Sequence, residues 1–220
     1  MNKFSYLVLL SIVLSPAFAQ KIQYKLRSGY SASNVVINGH KFYKTEYGPN
    51  GGMTVETAVK KNFLLEAGLM YSHKGDSYSD KRSQLSTTPN QRFETISYKT
   101  SNILHYLIVP VRIGYSFTDK VLFFAGPEFS YLLSAPVKLR GVEVTYLDYY
   151  RKFDFSATAT MEYKPFKSVG IYGGYDYGLS KFMKAILTTS NGDITGYKYV
   201  GSNRTIFIGL FYRGEITTKR

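Results

Sequence analysis

The stretch YLIVPVRIGYSF, residues 106–117, decides the fold because its alternating positions differ in chemistry. Successive side chains of a β-strand point to opposite sides of the sheet. One parity of this stretch is wholly apolar and comprises Leu107, Val109, Val111, Ile113, Tyr115 and Phe117. The other parity carries Pro110 and a charge, Arg112. The pattern predicts a strand with one apolar face and one face that accepts a cation.

The first nineteen residues predict a cleaved secretory signal peptide. A single lysine, an apolar run over residues 6–14 and an Ala-Phe-Ala sequence ending at Ala19 follow the order that such peptides use. The run is shorter than the roughly 20 residues of a membrane-spanning helix. We therefore expect residues 1–19 to be removed between Ala19 and Gln20, leaving residues 20–220 as one domain.

The composition favours β-structure in an exported chain. The sequence holds 21 tyrosines, 15 phenylalanines and 19 glycines but no cysteine, so no disulfide supports the fold. Aromatic residues are enriched in strands. The net charge of +13 is spread over many turns and loops, which disfavours a nucleic-acid partner because such sites need a continuous basic stripe. We expect the excess cations to be solvated or to attract anionic lipid headgroups and lipopolysaccharide.

Alternation with period two recurs along the mature chain and predicts eight strands. The connections between them are alternately short and long, so an up-and-down arrangement places all short turns at one end. This asymmetry is typical of transmembrane β-barrels. The predicted strands are about 21–33, 51–60, 63–75, 101–117, 121–134, 151–163, 168–182 and 203–214; the long connections are 34–50, 76–100, 135–150 and 183–202.

Two all-β architectures fit this alternation. In a secreted lipocalin-like barrel the apolar face points inward around a ligand. In an eight-stranded antiparallel up-and-down transmembrane β-barrel it points outward to lipid. Charges on the polar parity and aromatic residues at both ends of the apolar parity favour the transmembrane barrel, located in the bacterial outer membrane. The predicted aromatic girdles are Tyr115, Phe117, Phe123, Tyr163 and Tyr212 at the short-turn end, with Tyr30, Tyr71, Tyr131 and Phe153 at the long-loop end.

The polar parity predicts a network of charges inside the barrel. Eight strands enclose room for side chains but no open aqueous channel. Buried charges need partners there, since an uncompensated one costs several kcal/mol. The predicted lumen network, with a structural role, consists of Arg112, Glu66, Glu128, Asp154, Glu162 and Asp176.

No motif in the sequence predicts catalysis, a cofactor or a metal. The three histidines, His40, His73 and His105, share no recognisable spacing with a serine or an acid. Cysteine is absent and no acid or histidine cluster has metal-ligand spacing. We predict no catalytic, cofactor-binding or metal-binding residue.

Several stretches resemble the PorT-type outer membrane protein β-barrel family of Bacteroidetes. They are MYSHKG, YLIVPVRIGYSF, VLFFAGPEFSYLLSAPVK, KFDFSATATMEYK, YDYGLSKF and NRTIFIGLFYRG, spread over residues 22–213. The resemblance implies a barrel in the outer membrane of a Gram-negative bacterium. PorT itself is associated with secretion and gliding machinery. The chain departs from many barrels by continuing past Tyr212 with RGEITTKR, which obscures the end of the last strand.

These features predict a non-enzymatic outer-membrane protein with a structural or interaction role, accessory to a secretion or surface machinery. The long connection 76–100 is the expected contact for a protein partner. The alternatives are passage of small solutes or ligand binding through the barrel, a lipid-A-modifying enzyme, and the secreted lipocalin-like barrel.

Overall fold

Eight antiparallel strands form a closed ring in the computed structural model of the chain, which describes residues 22–41, 44–85, 93–139, 142–145, 147–189, 191 and 194–216. Each strand pairs with its neighbours in sequence, and the last pairs with the first. The strands are β1 (Ile22–Ile37), β2 (Lys44–Lys60), β3 (Phe63–Leu85), β4 (Phe93–Ser116), β5 (Val121–Ser134), β6 (Phe153–Tyr163), β7 (Val169–Gly178) and β8 (Ser202–Ile216). The predicted barrel is thereby confirmed.

The direction of the side chains separates the two architectures. Ile113 and Ile208 on the outer wall are 64% and 66% exposed, whereas Arg112 and Glu66 on the inner wall are 2% and 0% exposed. Charge is inside and apolar surface is outside, which is the reverse of a lipocalin. Such a wall fits a barrel whose outer surface is covered by lipid. The lipocalin-like alternative is therefore wrong.

The short turns lie where the sequence predicts them, and the first and last strands begin and end at the same side. Residues 61–62, 117–120 and 164–168 connect their strand pairs, and Ile22 pairs with Ile216. We call this side the short-turn end and the opposite side the long-loop end. β8 continues to Ile216, so the residues directly after Tyr212 extend the last strand. The predicted signal peptide and its cleavage site, Ala19 and Gln20, lie outside the described residues and stay a prediction.

The long connections contain much more β-structure than predicted. Residues 76–85 and 93–100 are not loop but paired extensions of β3 and β4, in register from Asp76 with Asn102 to Leu85 with Phe93. Apolar and polar residues do not alternate regularly over residues 76–100, so strand and loop are alike in sequence there. The other connections contain short strands at His40–Lys41, Pro136–Leu139, Val142–Thr145, Met183–Thr188 and Ile194–Val200.

Helical structure is minimal in the part of the chain that the structure describes. A 3₁₀ turn at Leu147–Tyr149 lies at the long-loop end. Within the described residues, no helix is long and apolar enough to cross a membrane.

Facing glycines and phenylalanines determine which side of β8 points inward. Gly170 pairs with Phe211 and Gly174 with Phe207 across β7 and β8. A Cβ atom on Gly174 would lie 2.5 Å from the Phe207 ring, and one on Gly170 would lie 2.4 Å from the Phe211 ring. The two phenylalanine rings occupy the space that glycine leaves inside the barrel.

Candidate functional site: the closed lumen

A layer of buried ion pairs crosses the lumen near the short-turn end. Lys25 Nζ lies 2.7 Å from Glu56 Oε2, 3.1 Å from Glu66 Oε2 and 2.7 Å from Glu162 Oε2. Arg27 Nη2 lies 2.7 Å from Glu66 Oε2 and also pairs with Glu162. All five residues are buried. Residues from β1, β2, β3 and β6 therefore meet at one level of the barrel.

Glu66 is the centre of this layer because three cations contact its carboxylate. Arg112 Nη2 lies 2.7 Å from Glu66 Oε1, while Arg112 Nη1 donates a hydrogen bond to Thr160 Oγ1 at 2.8 Å. Arg213 on β8 pairs with Glu56 at the margin of the layer. Such mutual pairing offsets part of the large cost of removing ionised groups from water.

A second layer lies closer to the long-loop end. Lys74 Nζ is 3.3 Å from Asp176 Oδ2. Asp154 accepts hydrogen bonds from Asn203 Nδ2, at 2.9 Å, and from Ser180 Oγ. The predicted network is thus distributed over two layers: Arg112, Glu66 and Glu162 lie in the first, and Asp154 and Asp176 in the second.

A small cavity separates the two layers. It measures about 20 Å³, and Arg27, Arg112, Glu128, Tyr172 and Asp176 contribute to its lining. This volume holds about one water molecule. Glu128, the sixth residue of the predicted network, is buried in this wall. This cavity is too small for a hydrated ion.

Apolar side chains pack against the first ionic layer and close the lumen beyond the second. At the short-turn end, Phe124 and Phe211 are buried, and Lys25 Nζ lies 4.2 Å from the centroid of the Phe124 ring. At the long-loop end, Phe182 is buried and stacks on Tyr150 with ring centroids 6.0 Å apart. We call the apolar cluster around Phe182 the outer cap; its buried members are Val35, Leu104, Tyr106, Ile108, Leu132, Ala135 and Phe182.

The connections outside the barrel wall hold the outer cap in place. The Phe182 amide donates to the Gly201 carbonyl at 3.1 Å, and the Arg151 amide donates to the Phe182 carbonyl at 2.8 Å. Leu147, Tyr150 and Met183 pack against the cluster from above. Segments between barrel strands therefore contribute a small apolar core that covers the lumen.

The cations of the network were the main omission of the sequence prediction. Lys25, Arg27 and Lys74 were not among the predicted residues, although each lies on the inward parity of its strand. Lys25 and Arg27 alternate with Tyr24 and Leu26 in β1. A search of the inward positions of each strand for cations would have identified all three. Such a search is justified because each predicted acid needs a compensating charge in a sealed lumen.

The nine predicted girdle residues lie at outward positions, but Tyr30 pairs with Ile208 in the middle of β8 and not at a rim. At the short-turn end, the Tyr115 ring lies 5.2 Å from Phe63 and 5.0 Å from Phe117, centroid to centroid. At the long-loop end, Tyr131 and Phe153 are 5.2 Å apart. The remaining predicted members, also at outward positions, are Tyr30, Tyr71, Phe123, Tyr163 and Tyr212.

Two of the three histidines meet on the outer wall. His73 and His105 are paired across β3 and β4, with ring centroids 5.4 Å apart. Tyr71 Oη lies 2.5 Å from His105 Nδ1. His40 lies in the short strand that pairs with β1. Among the described residues, no group of three histidines or acids is arranged to hold a metal ion.

Comparison with solved structures finds small outer-membrane barrels. Ail of Yersinia pestis, solved with the heparin analogue sucrose octasulfate, has 15% identity and a TM-score of 0.48, covering 88% of this chain and 99% of its own. OprG of Pseudomonas aeruginosa has 11% identity and a TM-score of 0.46, covering 89% and 97%. Neisserial surface protein A has 11% identity and a TM-score of 0.43, covering 86% and 96%. No curated protein matches the sequence.

The sequence also matches a protein family directly. Residues 18–184 match the family described as "outer membrane protein beta-barrel domain". That match covers most of the chain and includes seven of the eight barrel strands. The protein is located in the outer membrane, and the chain belongs to the outer membrane protein β-barrel domain family.

Proposed function

We propose that the protein is a non-enzymatic outer-membrane barrel with a sealed lumen, and that it acts by binding a partner through its extracellular β-structure. In outer-membrane barrels the short turns are periplasmic and the long connections extracellular. The outer cap, the paired extensions of β3 and β4 and the strand pair Met183–Thr188 and Ile194–Val200 are therefore on the cell surface in this proposal.

The filled lumen is the observation that carries the proposal. Phe124 and Phe211 pack against the first ionic layer, the outer cap covers the second, and the cavity between the layers measures about 20 Å³. Each of Lys25, Arg27 and Arg112 is paired with an acid. These contacts support a structural role for the predicted network and disfavour passage of solutes.

Planar-bilayer recording tests the sealed lumen. We expect the purified protein to insert, as judged by a folded band that shifts on boiling, and to show no discrete conductance steps at ±100 mV. A porin inserted in the same bilayers provides the positive control. Reproducible unitary openings of the wild-type protein would contradict the proposal and favour passage of small solutes.

The strand pair at residues 183–200 offers an apolar contact surface beyond the barrel wall. Ile186, Ile194 and Tyr197 are 46%, 62% and 57% exposed, and they lie in the strands Met183–Thr188 and Ile194–Val200. Apolar side chains clustered on an exposed surface are typical of interaction sites. The extensions of β3 and β4 form a second strand pair at the same end.

The resemblance to PorT-type barrels extends the proposal to a kind of partner. In this proposal, the partner is a protein component of a secretion or surface machinery. A photo-crosslinking residue at Tyr197 should give a discrete adduct in intact cells. The matched control is the same residue at Phe166, which is exposed in a short turn at the opposite end. Equal adducts at both positions, or none at Tyr197, would contradict the assignment of this surface.

The histidine pair on the outer wall provides a test of the non-enzymatic part. The alternative is a lipid-A-modifying enzyme in which His73 and His105 would take part in catalysis. We expect mass spectra of lipid A to be identical in cells that carry the wild-type protein, His73→Ala, His105→Ala or no protein. A modification lost in both variants would overturn the proposal.

A further inference from the structure

A pocket lined by cations lies at the long-loop end of the barrel, where β1, β7 and β8 meet. It measures about 290 Å³, and its lining includes Lys181, Lys198 and Arg204. No acid lines this pocket in the described part of the chain; its other lining residues are uncharged, namely Val36, Asn38, Gly39, Tyr177, Val200, Gly201 and Ser202. Three cations without an acid form a site for an anion.

Arg204 is already held in one orientation. Its Nη1 donates hydrogen bonds to the Gly178 carbonyl at 2.8 Å and to the Asn203 carbonyl at 3.0 Å. Its guanidinium carbon lies 3.5 Å from the centroid of the Tyr177 ring. The hydrogen bonds given by the described residues use Nη1, so Nη2 and Nε keep their donors for a ligand. A fixed guanidinium loses little further entropy when it binds a phosphate.

The pocket lies at the level where lipid headgroups begin. Arg204 lies on the outward face of β8, on the long-loop side of Ile206, Ile208 and Leu210, which are all exposed on that face. Eight residues separate it from Tyr212 in the opposite girdle, which is about 26 Å along the strand. A tilt of about 40° reduces this to about 20 Å along the membrane normal. Toward the long-loop end of β8, Arg204 is thus the first charged side chain beyond the exposed Leu210, Ile208 and Ile206.

We infer that Lys181, Lys198 and Arg204 bind a phosphate group of a lipid headgroup in the outer leaflet of the outer membrane. The acyl chains of that lipid would lie along Ile206 and Ile208, directly below the pocket. Arginine matches two phosphate oxygens at once, and lysines add charge without a fixed geometry. Basic pockets at membrane surfaces recognise anionic headgroups in this way. The inference does not depend on whether the lumen is sealed.

The test compares lipids that differ only in phosphate. The full chain is placed in micelles of dodecyl maltoside, which carries no phosphate, with phosphorylated lipid A or with the same lipid A after removal of its phosphates, and the bound lipid is counted by native mass spectrometry. We expect retention of the phosphorylated form only. The double variant Lys181→Gln/Lys198→Gln should bind about thirtyfold more weakly. That factor corresponds to about 2 kcal/mol, the attraction expected of two lysines at a charged membrane surface.

The control removes the same charge from the other end of the barrel. Lys120→Gln/Lys167→Gln alters two exposed lysines of the short turns and should leave binding unchanged. Equal loss in both double variants, or equal retention of the two forms of lipid A, would overturn the inference. A third arm adds inorganic phosphate at 10 mM. Displacement of the lipid by phosphate alone would show a site for free anions and would overturn the lipid assignment. Folding of each variant is verified by the band shift on boiling.

Discussion

Arg112 on β4 and Glu66 on β3 lie directly opposite each other in the register of the barrel, and their side chains meet inside it with Nη2 2.7 Å from Oε1. Because Glu66 also pairs with Lys25 and Arg27, a single carboxylate links strands β1, β3 and β4. The arginine in the middle of an apolar sequence is therefore one partner in a buried junction.

Replacement of Glu66 by glutamine should destabilise the barrel strongly. The side chain keeps its shape, but three buried cations lose the acid that they share. Lys25 and Arg27 keep their contacts with Glu162, but Arg112 loses its ion pair with Glu66. We expect a loss of about 3–5 kcal/mol, the usual effect of removing one partner of a buried pair. Urea titration in lipid vesicles, followed by the folded band on unboiled gels, measures the change. Glu215→Gln, at an exposed position of β8, is the control and should have little effect. Equal stability of the two variants would contradict the role of Glu66.

Replacement of Gly114 by alanine should also destabilise the barrel, for a steric reason. A Cβ atom there would lie 2.4 Å from the Phe124 ring, which is fully buried. We expect a cost of about 1–3 kcal/mol, partly recovered in Gly114→Ala/Phe124→Leu. Gly196→Ala is the matched control, since nothing lies within 4 Å of the added atom. A double variant less stable than Gly114→Ala would show that the Phe124 ring is not the obstacle.

The membrane-spanning part of the fold could be predicted from sequence because lipid imposes a strict alternation there. In β6, and in β4 from Val109 to Ser116, each apolar outward residue is followed by a polar or small inward one. β8 lacks this signal, because Phe207 and Phe211 are as apolar as Ile206 and Ile208. Its orientation depends on Gly170 and Gly174 of the neighbouring strand. That information lies in the register between strands and not in β8 itself.

The same physics explains what could not be predicted about the site. The acids of the lumen stand out because their strands are otherwise largely apolar. Lys25 and Arg27 do not stand out in β1, and a third cation, Arg213 of β8, pairs with Lys25 in the ladder. Which cation meets which acid depends on strand register and side-chain length. The outer cap was beyond sequence reasoning because Phe182 and Leu104 join it from segments 78 residues apart. No local pattern indicates that these segments meet.

Stability should depend on pH through Asp76, which lies on β3 five residues beyond the girdle residue Tyr71. Burial raises the pKa of Asp76 to about 6, and the charge of Glu46 adds to the increase. The hydrogen bond from Asn102 Nδ2, at 2.7 Å, opposes it. The folded protein thus holds a proton more tightly than the unfolded chain, whose aspartate pKa is about 3.9. Wild-type stability should therefore fall as pH rises from about 4 to about 6.

The variant Asp76→Asn isolates this effect. An asparagine keeps an oxygen that can accept from Asn102 but carries no charge at any pH. Relative to wild type, it should gain on the order of 2–3 kcal/mol between pH 3.5 and pH 7.5, with the gain complete above pH 7. Unfolding by urea at the two pH values gives the difference. A difference that is the same at both values would show that Asp76 titrates normally.

An arginine at Ile208 tests where the membrane lies along the barrel. Ile208 points outward and is four residues from Tyr212 at one rim and four from Arg204 at the other, which places it near the middle of the apolar belt. Because a cation at the bilayer midplane of a barrel costs about 2–4 kcal/mol and one near the interface about 0–1 kcal/mol, Ile208→Arg should be clearly less stable than Ile216→Arg. Ile216 is also outward and about half exposed, but it lies at the short-turn end. Urea titrations in vesicles give both values under the same conditions. If the two substitutions cost the same, the belt is not centred on Ile208, and the level assigned to Arg204 and its pocket must be moved accordingly.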